Sequence, residues 1–166
     1  MQDFISGIGY AKRGGEHMNI QKFTQKSVQA VNELEKIAME YGNQEIEQEH
    51  LLYSLLTQEE SLIARLISKM NIDDTLFKEQ VEQALNKRVK VSGGQPYIGQ
   101  YLNKALISAE DEAKRMGDEY VSVEHLFLSL IENADPTLKN LFRPYGITKE
   151  ACLQALQSVR GNQRVT

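Results

Sequence analysis

The chain is expected to be all-α, with eight helices forming two pseudo-twofold related repeats of four that fuse into one globule. Two observations carry this. Shifted by seventy-five residues, the sequence matches itself without a gap over about sixty positions, so that EHLLYSLL at Glu49 to Leu56 falls on EHLFLSLI at Glu124 to Ile131. A self-match of that length marks a duplicated supersecondary unit. Within each copy the apolar residues recur at helical spacing.

The elements follow in order. The first helix of each copy carries Phe23, Ser27, Ala30, Val31, Leu34, Ala38 and Tyr41, or Ile98, Leu102, Ala105, Leu106, Ala109, Ala113 and Met116, each set on a single stripe. Thr24 sits at the N-cap, a position worth about 1 kcal/mol, with Phe23 before it placed to staple onto Val28. Gly42 and Gly117 stop these helices, because glycine takes the left-handed C′ conformation without a Cβ penalty. The second helix carries Leu51, Leu52, Leu55 and Leu56, or Leu126, Phe127, Leu130 and Ile131, with Ser122 as a cap in the later copy. The third carries Ile63, Leu66 and Ile67, or Leu138, Leu141 and Phe142 behind the cap-and-proline pair Asp135-Pro136. The fourth starts at Asp73 or Thr148. Repeat 1 thus spans 23–87 and repeat 2 spans 98–160, joined by a linker at 88–97 whose Gly-Gly and Pro read as loop, without a strand.

Residues 1–17 read differently. MQDFISGIGYAKRGGEH has no helical period and is rich in glycine, so it is expected to stay disordered. Its His17-Met18 junction is what a common cloning site leaves behind, so the segment is expected to be a vector-derived leader with the natural start at Met18. Gly7-Ile8-Gly9 imitates a phosphate loop but lacks the preceding strand and the third glycine.

Composition excludes several classes. Lys and Arg number 19 against 23 Asp and Glu, a formal charge of −4, and no basic stripe is present to neutralise a run of phosphates, so nucleic acid is not an expected partner. The longest apolar runs are three residues, against the ~20 that span a bilayer, so no membrane partner is expected. One cysteine, Cys152, permits no internal disulfide and suits a reducing, cytoplasmic compartment.

The chemistry-bearing residues have quiet explanations. Glu49-His50 and Glu124-His125 could suggest a metal, but a zinc helix needs two histidines four apart, as in HExxH, and each copy supplies one. These pairs are expected to open the second helices, the carboxylate near the positive end of the dipole and the imidazole packed in the first turn. Cys152 takes the place of Phe77 in the other copy and reads as a core residue. Asp118, after the Gly117 stop, reads as part of a solvated turn. Neither a nucleophile elbow nor a phosphate-loop lysine motif is present, so no catalytic site, metal or cofactor is expected in this chain.

The paired EHLL and EHLF blocks, FTQKSVQA at Phe23 to Ala30, GDEYVSVEHLFLSL at Gly117 to Leu130 and VRGNQRVT at Val159 to Thr166 together resemble the amino-terminal domain of the Clp ATPase chaperones. The resemblance covers 18–160, and 161–166 resembles the start of the segment leading to the first ATPase module in the disaggregase branch of that family. It implies a module that engages exposed apolar stretches of unfolded or aggregated clients and passes them to a ring pore. By motif, the residues that matter for this fall on Thr24, Asp118 and Glu124, and a groove lined by leucines falls at Leu106. Ser108 and Glu112 stand where that groove is often apolar. A carboxylate rim would favour basic, unfolded segments. ATP and Mg would belong to ATPase modules outside this chain, as would hexamer assembly and cooperation with a DnaK-system chaperone; alone, the chain is expected to be a monomer. The alternative lies in the protease-linked branch, whose corresponding domain docks adaptors or phosphoarginine-marked substrates; Glu49 and Glu124 match its binding glutamates.

Overall fold

In a computed structural model, which describes residues 4–8 and 18–161, the two repeats form matching halves. The first contains α2 (Gln25–Asn32), α3 (Leu34–Glu40), β1 (Glu45–Ile46), α4 (Gln48–Thr57), α5 (Leu62–Lys69) and α6 (Asp74–Asn86). The second contains β2 (Tyr97–Ile98), α7 (Gln100–Arg115), α8 (Val123–Glu132), α9 (Pro136–Phe142) and α10 (Lys149–Arg160). The eight expected helices are all here, with the first split into α2 and α3 at Glu33, which keeps right-handed helical angles (φ −75°, ψ −14°). Its counterpart α7 runs unbroken for 16 residues.

The caps behave as their chemistry requires. Thr24 accepts from the Ser27 N–H, Asp73 from those of Thr75 and Leu76, Asp135 from Leu138 and Thr148 from Ala151. Both stop glycines have positive φ, 70° at Gly42 and 72° at Gly117. Each closes a Schellman turn: Asn43 N–H reaches Ala38 O at 2.8 Å, and Asp118 N–H reaches Ala113 O at 2.9 Å.

The halves are stitched by exchange. β1 and β2 pair in parallel, Glu45 opposite Tyr97 and Ile46 opposite Ile98, and Phe23 forms a parallel bridge with Val121. Phe23 and Ile98 are repeat equivalents, as are Ile46 and Val121. Each half therefore lays the residue that enters its first helix against the turn before the second helix of the other. The end of the 88–97 linker is accordingly strand, a correction to the loop reading; the same linker folds back on the Gly42 turn, with Val91 N–H on Gly42 O at 2.8 Å. Two-residue strands leave no alternating pattern for a sequence to show.

The equivalent helices α4 and α8 pack at the centre, and Leu51, Leu52, Leu55, Leu126, Phe127 and Leu130 are at most 1% exposed. Two serines tie the layers in the same way: Ser54 Oγ donates to Ala30 O at 2.7 Å and Ser129 Oγ to Ala105 O at 2.6 Å. Cys152 and Phe77 are both fully buried.

Residues 4–8 depart from the disorder expected of 1–17. Phe4–Ile8 form a helix, α1, with Ile5 and Ile8 buried. The remainder of that segment, Gly9 included, and residues 162–166 lie outside the described residues. Among the described residues no helix is long and apolar enough to cross a membrane.

Candidate functional site

The Schellman turns set up the two EH sites. After a C′ glycine the next residue turns inward, so Asn43 and Asp118 meet the histidine seven positions on. His50 Nδ1 accepts from Glu47 N–H at 2.9 Å, and His125 Nδ1 accepts from Ser122 N–H at 2.9 Å. The imidazole thus takes the part that glutamate plays in a capping box. With Nδ1 accepting, Nε2 carries the proton, and it donates to Asn43 Oδ1 at 2.9 Å in one half and to Asp118 Oδ2 at 2.7 Å in the other. Burial pushes the His50 pKa down to about 4, helped by the nearby Arg88 charge, so this ring is neutral.

In the second half the network is ionic. Arg160, from the end of α10, pairs with Asp118 Oδ1 and lies 3.9 Å from Glu124 Oε2. Ser122 Oγ donates to Glu124 Oε1. Asp118 and Glu124 are 7% and 5% exposed, which corrects the solvated-turn reading of Asp118: a carboxylate with a guanidinium and an imidazole N–H beside it can be buried.

Thr24 joins the same turn from the other half. Its N–H donates to Val121 O at 2.9 Å, and Ser27 Oγ, which accepts from Thr24 Oγ1, donates to the same carbonyl at 2.9 Å. The structure thus brings Thr24, Asp118 and Glu124 around Val121. Leu106 is not among them. It is 1% exposed within the core and supports α7 rather than lining an open groove. Glu112 is also buried, bonded to Lys149 at 2.7 Å.

In the first half Glu49 has its own arginine. Arg88 Nη1 reaches Glu49 Oε2 at 2.9 Å and Nη2 reaches Glu45 Oε1 at 3.2 Å. Burial raises the Glu49 pKa against the pull of Arg88, and its Oε1 has no hydrogen-bond partner among the described residues. Glu49 and Arg88 open onto a pocket of about 400 Å³ between α6 and α9, bordered by Gln80, Lys87, Thr137 and Asn140.

Glu47 is the residue that sequence reasoning missed. Thr24 caps α2 with its own hydroxyl, but the equivalent position before α7 is Gly99. The Glu47 carboxylate fills the space, accepting from Leu102 N–H at 2.9 Å, and a Cβ on Gly99 would lie 2.5 Å from its Cδ. Burial pushes the Glu47 pKa up to about 7, the Leu102 N–H opposing and Glu45, Asp135 and Glu49 reinforcing. Its neighbour Gln48 bridges Tyr101 O, Asn133 O and Asp135 N–H.

A duplicated four-helix unit whose halves trade strands at their EH turns defines a Clp repeat domain. Residues 22–145 match the Clp repeat (R) N-terminal domain, and the chain belongs to that family. It is similar to the chaperone protein ClpB of Nitratidesulfovibrio vulgaris, 42% identical over 155 residues that cover 90% of this chain and 18% of the relative. It thus spans less than a fifth of that relative. Among solved structures it shares its fold with the Hsp104 N-terminal domain from Candida albicans (TM-score 0.72, 19% identity, 87% of this chain and 95% of that one). It also shares it with a ClpV N-domain in complex with a VipB peptide (TM-score 0.68, 19% identity, 89% and 92%).

Proposed function

We propose that this chain is the client-binding module of an ATP-driven, ClpB-type disaggregase, engaging exposed apolar segments of unfolded or aggregated proteins and passing them to a ring pore. The observation that carries the reading is the convergence of Thr24, Asp118 and Glu124 on one turn that joins the two halves. Because Asp118 and Glu124 are buried, they are positioning residues: they hold the turn and the exposed Tyr120 beside it, and the client touches the surface they shape. Weak binding suits the task, since a client must leave for the pore. ATP with Mg, hexamer assembly and a DnaK-system partner belong to the remainder of such a protein. That a ClpV domain of the same fold is a peptide complex is in keeping with a docking role.

Titration with fluorescein-labelled unfolded casein tests this. Micromolar or weaker binding is expected, reduced about tenfold, or 1.4 kcal/mol, in Thr24→Ala and Asp118→Asn at unchanged helix content. No binding at high concentration, even after fusion to a full ring, overturns it.

A second reading rests on the Glu49 pocket. A carboxylate oxygen without a partner among the described residues, in a pocket also lined by Lys87 and Arg88, suits a ligand carrying a guanidinium and a phosphate together, as phosphoarginine does. Against it, Glu49 and Glu124 each already face an internal arginine. Binding of free phosphoarginine that disappears in Glu49→Ala and Glu124→Ala would favour this reading over the first.

A further inference from the structure

Close to the end of each fourth helix stands an arginine that returns to the EH turn of its own half. In the first half Arg88, just past the end of α6, reaches Glu49 Oε2 at 2.9 Å. In the second, Arg160, the last residue of α10, pairs with Asp118 Oδ1 and faces Glu124 Oε2 at 3.9 Å, while its Nη1 donates to Met116 Sδ at 3.8 Å. Glu49 and Glu124 are repeat equivalents, but the arginines are not: shifted by seventy-five, Arg160 falls on Leu85 and not on Arg88. Duplication alone would have delivered both from one register. The two halves reach the same arrangement from different positions, so the arrangement itself is what the fold keeps.

Position along the chain gives the pairing its consequence. Arg88 stands where the chain leaves the first half for β2. Arg160 stands where it leaves the second, and on the client-binding reading the chain runs on from here towards the ATPase modules. A helix end frays at little cost when nothing holds it. Here the last turn of α10 comes free only if a guanidinium 10% exposed gives up two buried carboxylates, and those carboxylates belong to the turn that Thr24 joins at Val121.

We infer that Arg160 is a positioning residue that ties the client-binding turn to the exit of the chain: with its guanidinium on Asp118 and Glu124 the turn is set for a client and the end of α10 is held, and when it lets go both loosen together. This rests on the client-binding reading. Reciprocity makes the tie readable from either end, since a client that favours the set turn must favour the held exit by the same factor. A client captured at the turn thereby stiffens the connection to the ring that is to receive it.

Amide exchange of the isotope-labelled chain, followed residue by residue without and with saturating unlabelled unfolded casein, tests this. Casein is expected to slow exchange at Gln157 to Gly161 about fivefold or more. The slowing should vanish in Arg160→Gln, return in part in Arg160→Lys, which keeps the charge but not the forked guanidinium, and persist in Arg88→Gln, whose arginine serves the other half. Should Arg160→Gln lose helix content, the reduced slowing in Arg160→Lys decides in its place. An arginine that merely held α10 in place would speed exchange there in the free variant yet leave casein without effect on the unchanged chain. Casein that binds the unchanged chain without slowing those amides, or slows them equally in the Arg160 variants, overturns the inference and leaves the client-binding reading standing. Casein that does not bind the unchanged chain overturns that reading and the inference with it.

Discussion

His125 donates its Nε2 proton to Asp118 at 2.7 Å where, one repeat earlier, His50 donates to Asn43 at 2.9 Å. The same geometry is thus built once with a charge and once without. Asp118→Asn copies the neutral version: the amide oxygen keeps the imidazole bond while the Arg160 ion pair is lost, at a cost of about 1–2 kcal/mol. Asp118→Ala leaves both His125 and Arg160 facing a hole, at about 3 kcal/mol or more. Urea unfolding of the two variants should rank them in that order.

Glu47 makes stability depend on pH. Its folded pKa of about 7 lies above the ordinary 4.5, so the unfolded chain releases this proton first. The contribution is complete below pH 4.5 and is lost as pH rises towards and through 7. The raised Glu49 and Asp135 act in the same sense, whereas His50, lowered from 6.5 to about 4, loses its contribution as pH falls through that interval. Glu47→Gln isolates the first effect, since an amide oxygen can still accept from Leu102. The stability of this variant relative to the parent should climb between pH 4.5 and 7 and level off beyond, as read from urea midpoints. A flat difference across that range would remove Glu47 from the account.

Cys152 should behave as a hydrophobe. Burial, with Glu124 nearby, pushes its thiol up to about 12, and thiolate is the reactive form. At pH 8 the folded chain is expected to resist a disulfide reagent and to release one thiol equivalent only in denaturant. Prompt labelling of the native chain would contradict this.

What the sequence revealed and what it hid divide by range. The Thr24 cap, the Gly42 and Gly117 stops and the Asp135-Pro136 start are settled by interactions within a few residues, so they were legible. From sequence Asp118 reads as solvated, because charged residues after a helix stop usually are. It is buried because His125 and Arg160 both turn towards it. His125 was detectable, since Asn43 and His50 repeat the spacing, but Arg160 lies 42 residues away and has no counterpart in register. The strand exchange left no trace in strands two residues long. At α1 the surrounding glycines masked an apolar pair three apart.

The pairing of Glu47 with Gly99 spans 52 residues and makes its own prediction. Gly99 has an ordinary φ of −74°, so a side chain is excluded by space and not by backbone strain. Gly99→Thr alone drives its Cβ into the Glu47 carboxylate, 2.5 Å away at Cδ, and should cost about 1–3 kcal/mol as overpacking. Glu47→Ser alone strips the cap from α7, at about 1 kcal/mol. Together the two changes install the residues that Thr24 and Ser122 supply at the equivalent places, a combination this fold already accommodates on the other side of its pseudo-twofold. The double variant should therefore be more stable than the sum of the single losses allows, with a coupling of 0.5 kcal/mol or more by urea denaturation. Strict additivity would mean that Glu47 and Gly99 do not constrain each other, and that the cap on α7 is held by something else.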